Sequence, residues 1–297
     1  MVGLALATGW REVLAQVARL GPAQVAALLA LSLVNYAFRG WRWHLFARRL
    51  GLPTGISRNF IHFLGGFAMS VTPGRVGELV RMRWLRRETG WPVERTAPLV
   101  LVDRASDLAA MAVLMAAGLA GSAGGITGAL PVLILALVIA FVATRPALLS
   151  GIAGLGYRLC RCLPRFFARL RGAARSLSRF TSPGVLLAAG VLGVIGWAAE
   201  GVAFWLLLGF LGADLSLARA VAIFTFATLA GGLTGAPGGV GGAEAAMVAL
   251  LALDGVGLDV SIPATAVIRL TTLWFALLVG LAAFPLAERM PDAGMTR

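Results

Sequence analysis

Lysine is absent from this chain. All 26 basic residues are arginine, set against 13 acidic ones, and charged residues make up only 13% of the 297 positions. Cysteine, histidine and tyrosine are scarce, with two of each. Two cysteines make no disulfide framework. Cys160 and Cys162 form a C-x-C on a basic segment without a His/Cys partner set, which is a poor zinc site. The Ser-His-Asp, P-loop and H-E-x-x-H patterns are missing, which argues against a hydrolase or an ATP-driven pump. We therefore expect no enzyme activity, no cofactor and no metal. What abounds is apolar: the set AVILMFWYC reaches 59%, with 38 glycines besides, and the mean hydropathy is +0.87. A soluble domain holds about 45–50% apolar residues with glycine counted. A globule of this size cannot hide so much apolar surface, so lipid must be the solvent for most of it. The sequence reads as an all-α integral membrane protein, a single membrane domain over residues 1–297.

The formal net charge of +13 can signal nucleic acid. Here the arginines flank apolar runs instead of forming one basic domain, so anionic inner-leaflet lipid is the expected partner and nucleic acid is not. Five segments are long enough to cross, about 22–44, 96–120, 129–144, 183–211 and 261–284. No ordinary cleaved signal peptide is visible, and residues 10–20 show the apolar spacing of an interfacial helix. Residues 39–58, 81–95 and 145–179 are rich in arginine, whereas 121–128, 212–219 and 253–260 are neutral or acidic. The positive-inside rule makes the first three cytoplasmic, the N-terminus external and the C-terminus internal. The chain is then expected to be multi-pass, in a bacterial or archaeal cytoplasmic (inner) membrane.

Orientation has a consequence for residues 59–80. They are apolar but begin and end on cytoplasmic flanks, and they are broken at Thr72-Pro73-Gly74. A re-entrant hairpin fits, because proline stops a helix and the freed carbonyls need protein or water around them. Residues 219–253 repeat the logic around Ala236-Pro237-Gly238-Gly239. The two regions read as copies. Gly51 matches Gly212 at an offset of 161, Pro73-Gly74-Arg75-Val76-Gly77 matches Pro237-Gly238-Gly239-Val240-Gly241 at 164, and Arg104 matches Arg269 at 165. The expected architecture is an inverted-topology repeat. Residues 1–21 form the interfacial helix and 22–120 the first unit of span, re-entrant hairpin and span. Residues 129–182 supply a linking span and a basic connector, and 183–284 the second unit. Inverted repeats with broken helices mark transporter folds, with the site at the repeat interface. In the connector, Leu163, Phe167, Leu170, Ala174 and Leu177 share one helical face, read as an interfacial linker on anionic lipid.

Several stretches resemble a known family. Asn35-Tyr36-Ala37-Phe38-Arg39-Gly40-Trp41-Arg42-Trp43, then Pro73-Gly74-Arg75-Val76-Gly77-Glu78-Leu79, then Asp103-Arg104-Ala105-Ser106-Asp107 are similar to the lysylphosphatidylglycerol-synthase transmembrane-region family, also called flippase-like domain proteins. Pro237-Gly238-Gly239-Val240-Gly241 followed by Glu244 resembles its second signature. The match runs from about Trp10 to Ala283. The resemblance implies lipid translocation, or the membrane half of a lipid-modifying system.

Ionisable residues at membrane depth are costly and usually face a partner or a wet cavity. Here they are Arg39, Arg75, Glu78, Asp103, Arg104, Asp107, Glu200, Glu244 and Arg269. Asp103 and Asp107 share a helix face at i, i+4. They are expected to neutralise nearby arginines, Arg75 or Arg104 among them, in preference to holding Mg²⁺ for a transferase. Glu78 and Glu244 start the outgoing half-helices, where helix capping and proton coupling are both open. Arg39 and Glu200 occupy equivalent positions in the two copies and are expected to pair. His44 and His62 are expected at the interface, without a role. The turn glycines Gly74, Gly77, Gly238, Gly239 and Gly241 leave amides free near half-helix N-termini, which suits an anion. The substrate expected is an amphiphile with a phosphate-bearing head group, such as an aminoacylated phospholipid or a polyprenyl-phosphate-linked sugar. It would pass a cavity lined by Arg39, Arg75, Arg104 and Arg269, with Arg75 as the main contact. The alternative is a non-transporting accessory subunit that docks a lipid-modifying glycosyltransferase or synthase.

Overall fold

The computed structural model describes residues 18, 20–72, 79–120, 129–145, 147–148, 150–151, 154–155 and 177–290. Among these the regular structure is entirely helical, as the sequence implies. The expected interfacial helix at 10–20 and most of the basic connector at 157–180 lie outside the described residues, as do Pro73–Glu78. The helices are α1 (Pro22–Leu50), α2 (Ile56–Gly65), α3 (Val80–Thr89), α4 (Val93–Ala120), α5 (Ala129–Thr144), α6 (Pro183–Phe210), α7 (Leu217–Leu233), α8 (Gly242–Leu253), α9 (Leu258–Arg269) and α10 (Phe275–Glu288). A 3₁₀ turn, Gly66–Met69, extends α2, and a π-helical segment, Leu270–Trp274, joins α9 to α10. Leu258–Glu288 therefore runs as one 31-residue helix, longer than the expected span at 261–284.

Local chemistry explains these limits. Pro22 and Pro183 open α1 and α6 at the first helical turn, where a missing N–H costs nothing. Gly51 ends α1 in the left-handed conformation, with its N–H on the Ala47 and Arg48 carbonyls. α1 continues six residues past the expected limit at 44. Its last turns are held because Trp43, Phe46 and Leu50 are buried. The segment 59–80, expected as a hairpin, starts within α2, runs through the 3₁₀ turn and ends at the first residue of α3, and the arginine-rich residues assigned to a cytoplasmic flank continue α3 to Thr89. α3 buries Arg81, Met82, Trp84 and Leu85 and exposes Arg83 and Arg86. Trp84 Nε1 donates to Glu288 Oε1 at 2.9 Å, tying α3 to the end of α10.

The packing is inside-out relative to a soluble protein. Leu187, Ile134, Phe141, Val113 and Leu278 are each more than half exposed, whereas Arg42, Arg81 and Asp103 are 0% exposed. An apolar exterior of this kind has lipid as its natural solvent. Pro183–Phe210 and Leu258–Glu288 are, among the described residues, the helices long and apolar enough to cross a membrane. α1 and α4 are of similar length but carry the buried charges. α1 packs along α6, and α7 packs on α4, α6 and α8.

Candidate functional site

The buried charges begin on α1, where Arg39 and Arg42 lie one turn apart and point at α4. Arg39 donates from Nε to Asp107 Oδ1 at 3.1 Å and from Nη2 to Oδ2 at 2.8 Å. That is a two-bond fork. Its Nη1 donates to Asn35 Oδ1. Arg42 Nη2 reaches Asp103 Oδ1 at 2.7 Å and Asp107 Oδ1 at 2.6 Å. Trp197 Nε1 on α6 donates to Asp107 Oδ1 at 3.0 Å, and the indole faces Arg39 at 4.8 Å. Arg104 stands 3.5 Å from both carboxylates. The i, i+4 spacing thus places the aspartates together, as expected. Arg39 and Arg42 are their closest cations, with Arg104 further off.

Glycines make this approach possible. A side chain at Gly193 on α6 would start 2.9 Å from Arg42 Nη1, and one at Gly196 would start 3.4 Å from Arg39 Cγ. Two guanidiniums occupy that bare strip. Sequence reasoning treated Arg42 as part of a flank. The signal for it was its i+3 relation to Arg39, which matches the i, i+4 aspartates. Arg81 was also assigned to a flank. It is fully buried, donates to the Phe63 carbonyl at 2.9 Å, and lies 4.8–5.7 Å from the rings of Trp43, Phe63 and Phe67. His62 is likewise 0% exposed and stacked on Trp84. Asn59 Nδ2 donates to His44 Nδ1 at 2.8 Å.

The second charged group surrounds the glycine turn. Pro237–Gly239 forms a 3₁₀ turn, and Gly238, Gly239 and Gly241 all have φ between 62° and 89°. That region is open to glycine and strained for other residues. Arg269 Nη2 donates to the Gly238 carbonyl at 2.7 Å and its Nε to Glu244 Oε1 at 2.7 Å. Glu244 Oε2 accepts the Gly241 N–H at 2.6 Å. The expected capping role is therefore present, together with an ion pair. Arg75, Glu78, Pro73, Gly74 and Gly77 lie outside the described residues.

Between the two groups is a cavity of about 270 Å³, lined by Arg104 and Asp107 of α4, Trp197 of α6, Thr228 of α7, Gly238 and Gly239 of the turn, and Arg269 of α9. A second cavity of about 40 Å³ shares Trp197, Thr228 and Arg269 with it and adds Tyr36, Arg39, Ser70 and Glu200. Arg39 and Glu200 thus border one space, and Arg39 gives its fork to Asp107. The Tyr36 and Ser32 hydroxyls donate to the Thr272 and Thr271 carbonyls at 2.9 and 2.8 Å, which fixes the π-helical segment against α1. Such segments often sit at functional sites. An apolar groove of about 570 Å³ lies on another face of α4, lined by Ala105, Ser106, Ala109, Leu137, Phe141 and Gly190 among others. Asp103 and Asp107 are wrapped in guanidinium donors. Among the described residues no group of three or more His, Cys, Asp or Glu is placed to hold a metal ion. The chemistry on offer in the larger cavity is two guanidiniums beside a glycine turn, which suits an anion.

Comparison with known proteins agrees with this picture. The chain is 28% identical over 288 residues to a UPF0104 membrane protein of Methanothermobacter thermautotrophicus, covering 89% of this chain and 85% of that one. Residues 1–280 match the lysylphosphatidylglycerol synthase TM region. The apolar exterior, the charged interior and this match lead to one conclusion: the chain belongs to the lysylphosphatidylglycerol synthase transmembrane-region family.

Proposed function

We propose that the protein carries an amphiphile with a phosphate-bearing head group between the leaflets of the cytoplasmic membrane. The head group uses the charged cavity while its tails stay in lipid. The observation that carries this is that Arg104 and Arg269 line a single cavity beside a glycine turn; the repeat reading makes them equivalent. Guanidiniums bind phosphate through paired hydrogen bonds. The apolar groove along α4 offers a place for a tail.

Helix boundaries support the inverted repeat on which this rests. Pro22 and Pro183, Ile56 and Leu217 open their helices 161 residues apart, while Val93 and Leu258 do so 165 apart. Gly51 and Gly212 share positive φ at 88° and 85°, Gly90 and Gly255 at 72° and 79°. Pro98 and Pro263 both lie inside helices, again 165 apart. At 1.5 Å per residue, 10-residue α2 and α3 span about 15 Å and 12-residue α8 about 18 Å, short of a ~30 Å bilayer core. We therefore read α2–α3 and α7–α8 as re-entrant hairpins, and α1, α4, α5, α6 and α9–α10 as the five spans.

The test is reconstitution. Purified protein in liposomes carrying fluorescent phosphatidylglycerol should expose the inner-leaflet label to an impermeant quencher faster than empty liposomes do. Arg104→Ala with Arg269→Ala should remove the difference. Liposomes with wild-type protein that match empty ones would favour the accessory-subunit alternative.

A further inference from the structure

Each segment read as a hairpin carries an ion pair across its mouth, at matching places in the two copies. Arg219, the third residue of α7, donates from Nε to Asp254 Oδ2 at 2.6 Å and from Nη2 to Oδ1, a two-bond fork at the end of α8. Arg58, the third residue of α2 and 161 positions before Arg219, donates from Nη1 to Glu88 Oε1 at 2.8 Å at the end of α3. His62 Nε2 stands 3.4 Å from the other oxygen of Glu88. Glu88 and Asp254 come just before Gly90 and Gly255, which share positive φ. By the orientation read above, the α7–α8 pair is external and the α2–α3 pair cytoplasmic. Both differ from the charges of the interior. Arg39 and Asp107 are 5% and 4% exposed, whereas Arg219 and Asp254 are 18% and 15% exposed and Arg58 is 49% exposed. A pair that water reaches is a weak, reversible tie, and a buried one is costly to break.

The legs of the second hairpin pack closest near its tip. A Cβ at Gly231 would fall 2.6 Å from Ala243 Cβ, and one at Gly242 would fall 2.5 Å from Thr234 Cγ2. Arg219 lies 12 residues from Gly231 and Asp254 lies 11 from Ala243, about 18 and 17 Å along a helix. The pair therefore ties the long ends of two levers whose fulcrum is the glycine contact. Around that fulcrum Thr228, Leu229, Gly238, Gly239 and Ala243 line the larger cavity. The first hairpin gives Phe67 and Ser70 to the smaller one. α7 is also packed on α4 and α6, and α2 on α1 and α10, so the legs that a broken pair frees are α8 and α3. α3 has a second tie, to α10, through Arg83, Trp84 and Arg87 on Glu288. We propose that the two pairs are gate clasps. Release of Arg219–Asp254 frees α8 and opens the cavities to the external side, and release of Arg58–Glu88 frees α3 and opens them to the cytoplasmic side. Clasps on opposite faces let one gate open while the other stays tied, as alternating access requires. The inference rests on the hairpin and orientation reading above, and not on which lipid is carried.

The test is alkylation of Thr228→Cys, a position that borders both cavities, by an impermeant thiol reagent. The full chain is used, with Cys160 and Cys162 replaced, in membrane vesicles of known sidedness. Asp254→Asn should speed labelling from the external side by about two- to fivefold, the weight of one partly exposed ion pair, and leave the cytoplasmic side unchanged. Glu88→Gln with Glu288→Gln should do the reverse. Arg219→Asp with Asp254→Arg rebuilds the outer clasp and should restore slow labelling. If Asp254→Asn does not fold, Arg219→Gln breaks the same pair from the other leg. Unchanged labelling in folded variants of both clasps, or an equal rise from both sides, overturns the proposal. Opposite effects on exchanged sides would keep the clasps and overturn the orientation. None of these readouts uses lipid, so a failure here is separate from a failure of the lipid-transport reading, which the liposome assay decides.

Discussion

Asp107 is the residue on which most of the buried charge depends, because Arg39, Arg42 and Trp197 all donate to it. Asp107→Asn keeps the shape and removes the charge, leaving two buried guanidiniums undercompensated. Loss of a buried partner costs about 3–5 kcal/mol, so thermal unfolding in detergent should move to clearly lower temperature. Asp107→Asn with Arg39→Gln should regain part of the loss, since contacting residues do not add independently. Strictly additive losses would show that the pair is not coupled. The aspartate face was legible in the sequence from its i, i+4 spacing. The partners were less so, because charge patterns read along the chain cannot tell which side of a helix faces a bare glycine strip. Arg42 sits opposite Gly193, while Arg48 and Arg49, a few residues on, are exposed. Arg81 had no sequence signal at all: its cage of Trp43, Phe63 and Phe67 comes from α1 and from α2 with its 3₁₀ extension.

At the scale of elements, close packing makes a second prediction. A Cβ at Gly280 on α10 would fall 2.2 Å from Ala68 N and 2.6 Å from Phe67 C. Those atoms are backbone and cannot swing aside, so Gly280→Ala should destabilise by about 1–3 kcal/mol. Gly209→Ala, with nothing within 4 Å, should be neutral or stabilising by about 0.5–1 kcal/mol. Equal melting temperatures for the two variants would contradict the packing of α10 on the 3₁₀ turn. Many helix limits were legible, because proline and glycine punctuate them: the segment 129–144, expected as a span, coincides with α5, and the segment 219–253, expected as a hairpin, encloses α8 and nearly all of α7. The π-helical segment was not. It follows from the Ser32 and Tyr36 hydroxyls reaching carbonyls more than 230 residues away, and single-sequence periodicity carries no trace of such a contact.

Across the whole molecule the arginine distribution sets an orientation that thiol labelling can check. With Cys160 and Cys162 replaced, Arg86→Cys should stay protected from an impermeant external reagent, while Leu253→Cys, 80% exposed at the end of α8, should be labelled. The reverse result would invert the positive-inside reading, and labelling at both would make the α2–α3 segment a true span. All-helical architecture was legible because composition leaves lipid as the only solvent for so much apolar surface. The cavity was legible in its arginines, since Arg104 and Arg269, 165 residues apart, both line it as expected, but not in Trp197 and Thr228, whose place in the wall depends on how α6 and α7 pack. That shared cavity is the centre of the account. Its most direct test is mass spectrometry of the lipid retained through gentle purification. Wild-type protein should hold a phosphate-bearing lipid, and the Arg104→Ala/Arg269→Ala protein, folded by its melting curve, should have lost it. Equal retention by both proteins, or retention of neutral lipid only, would contradict the account.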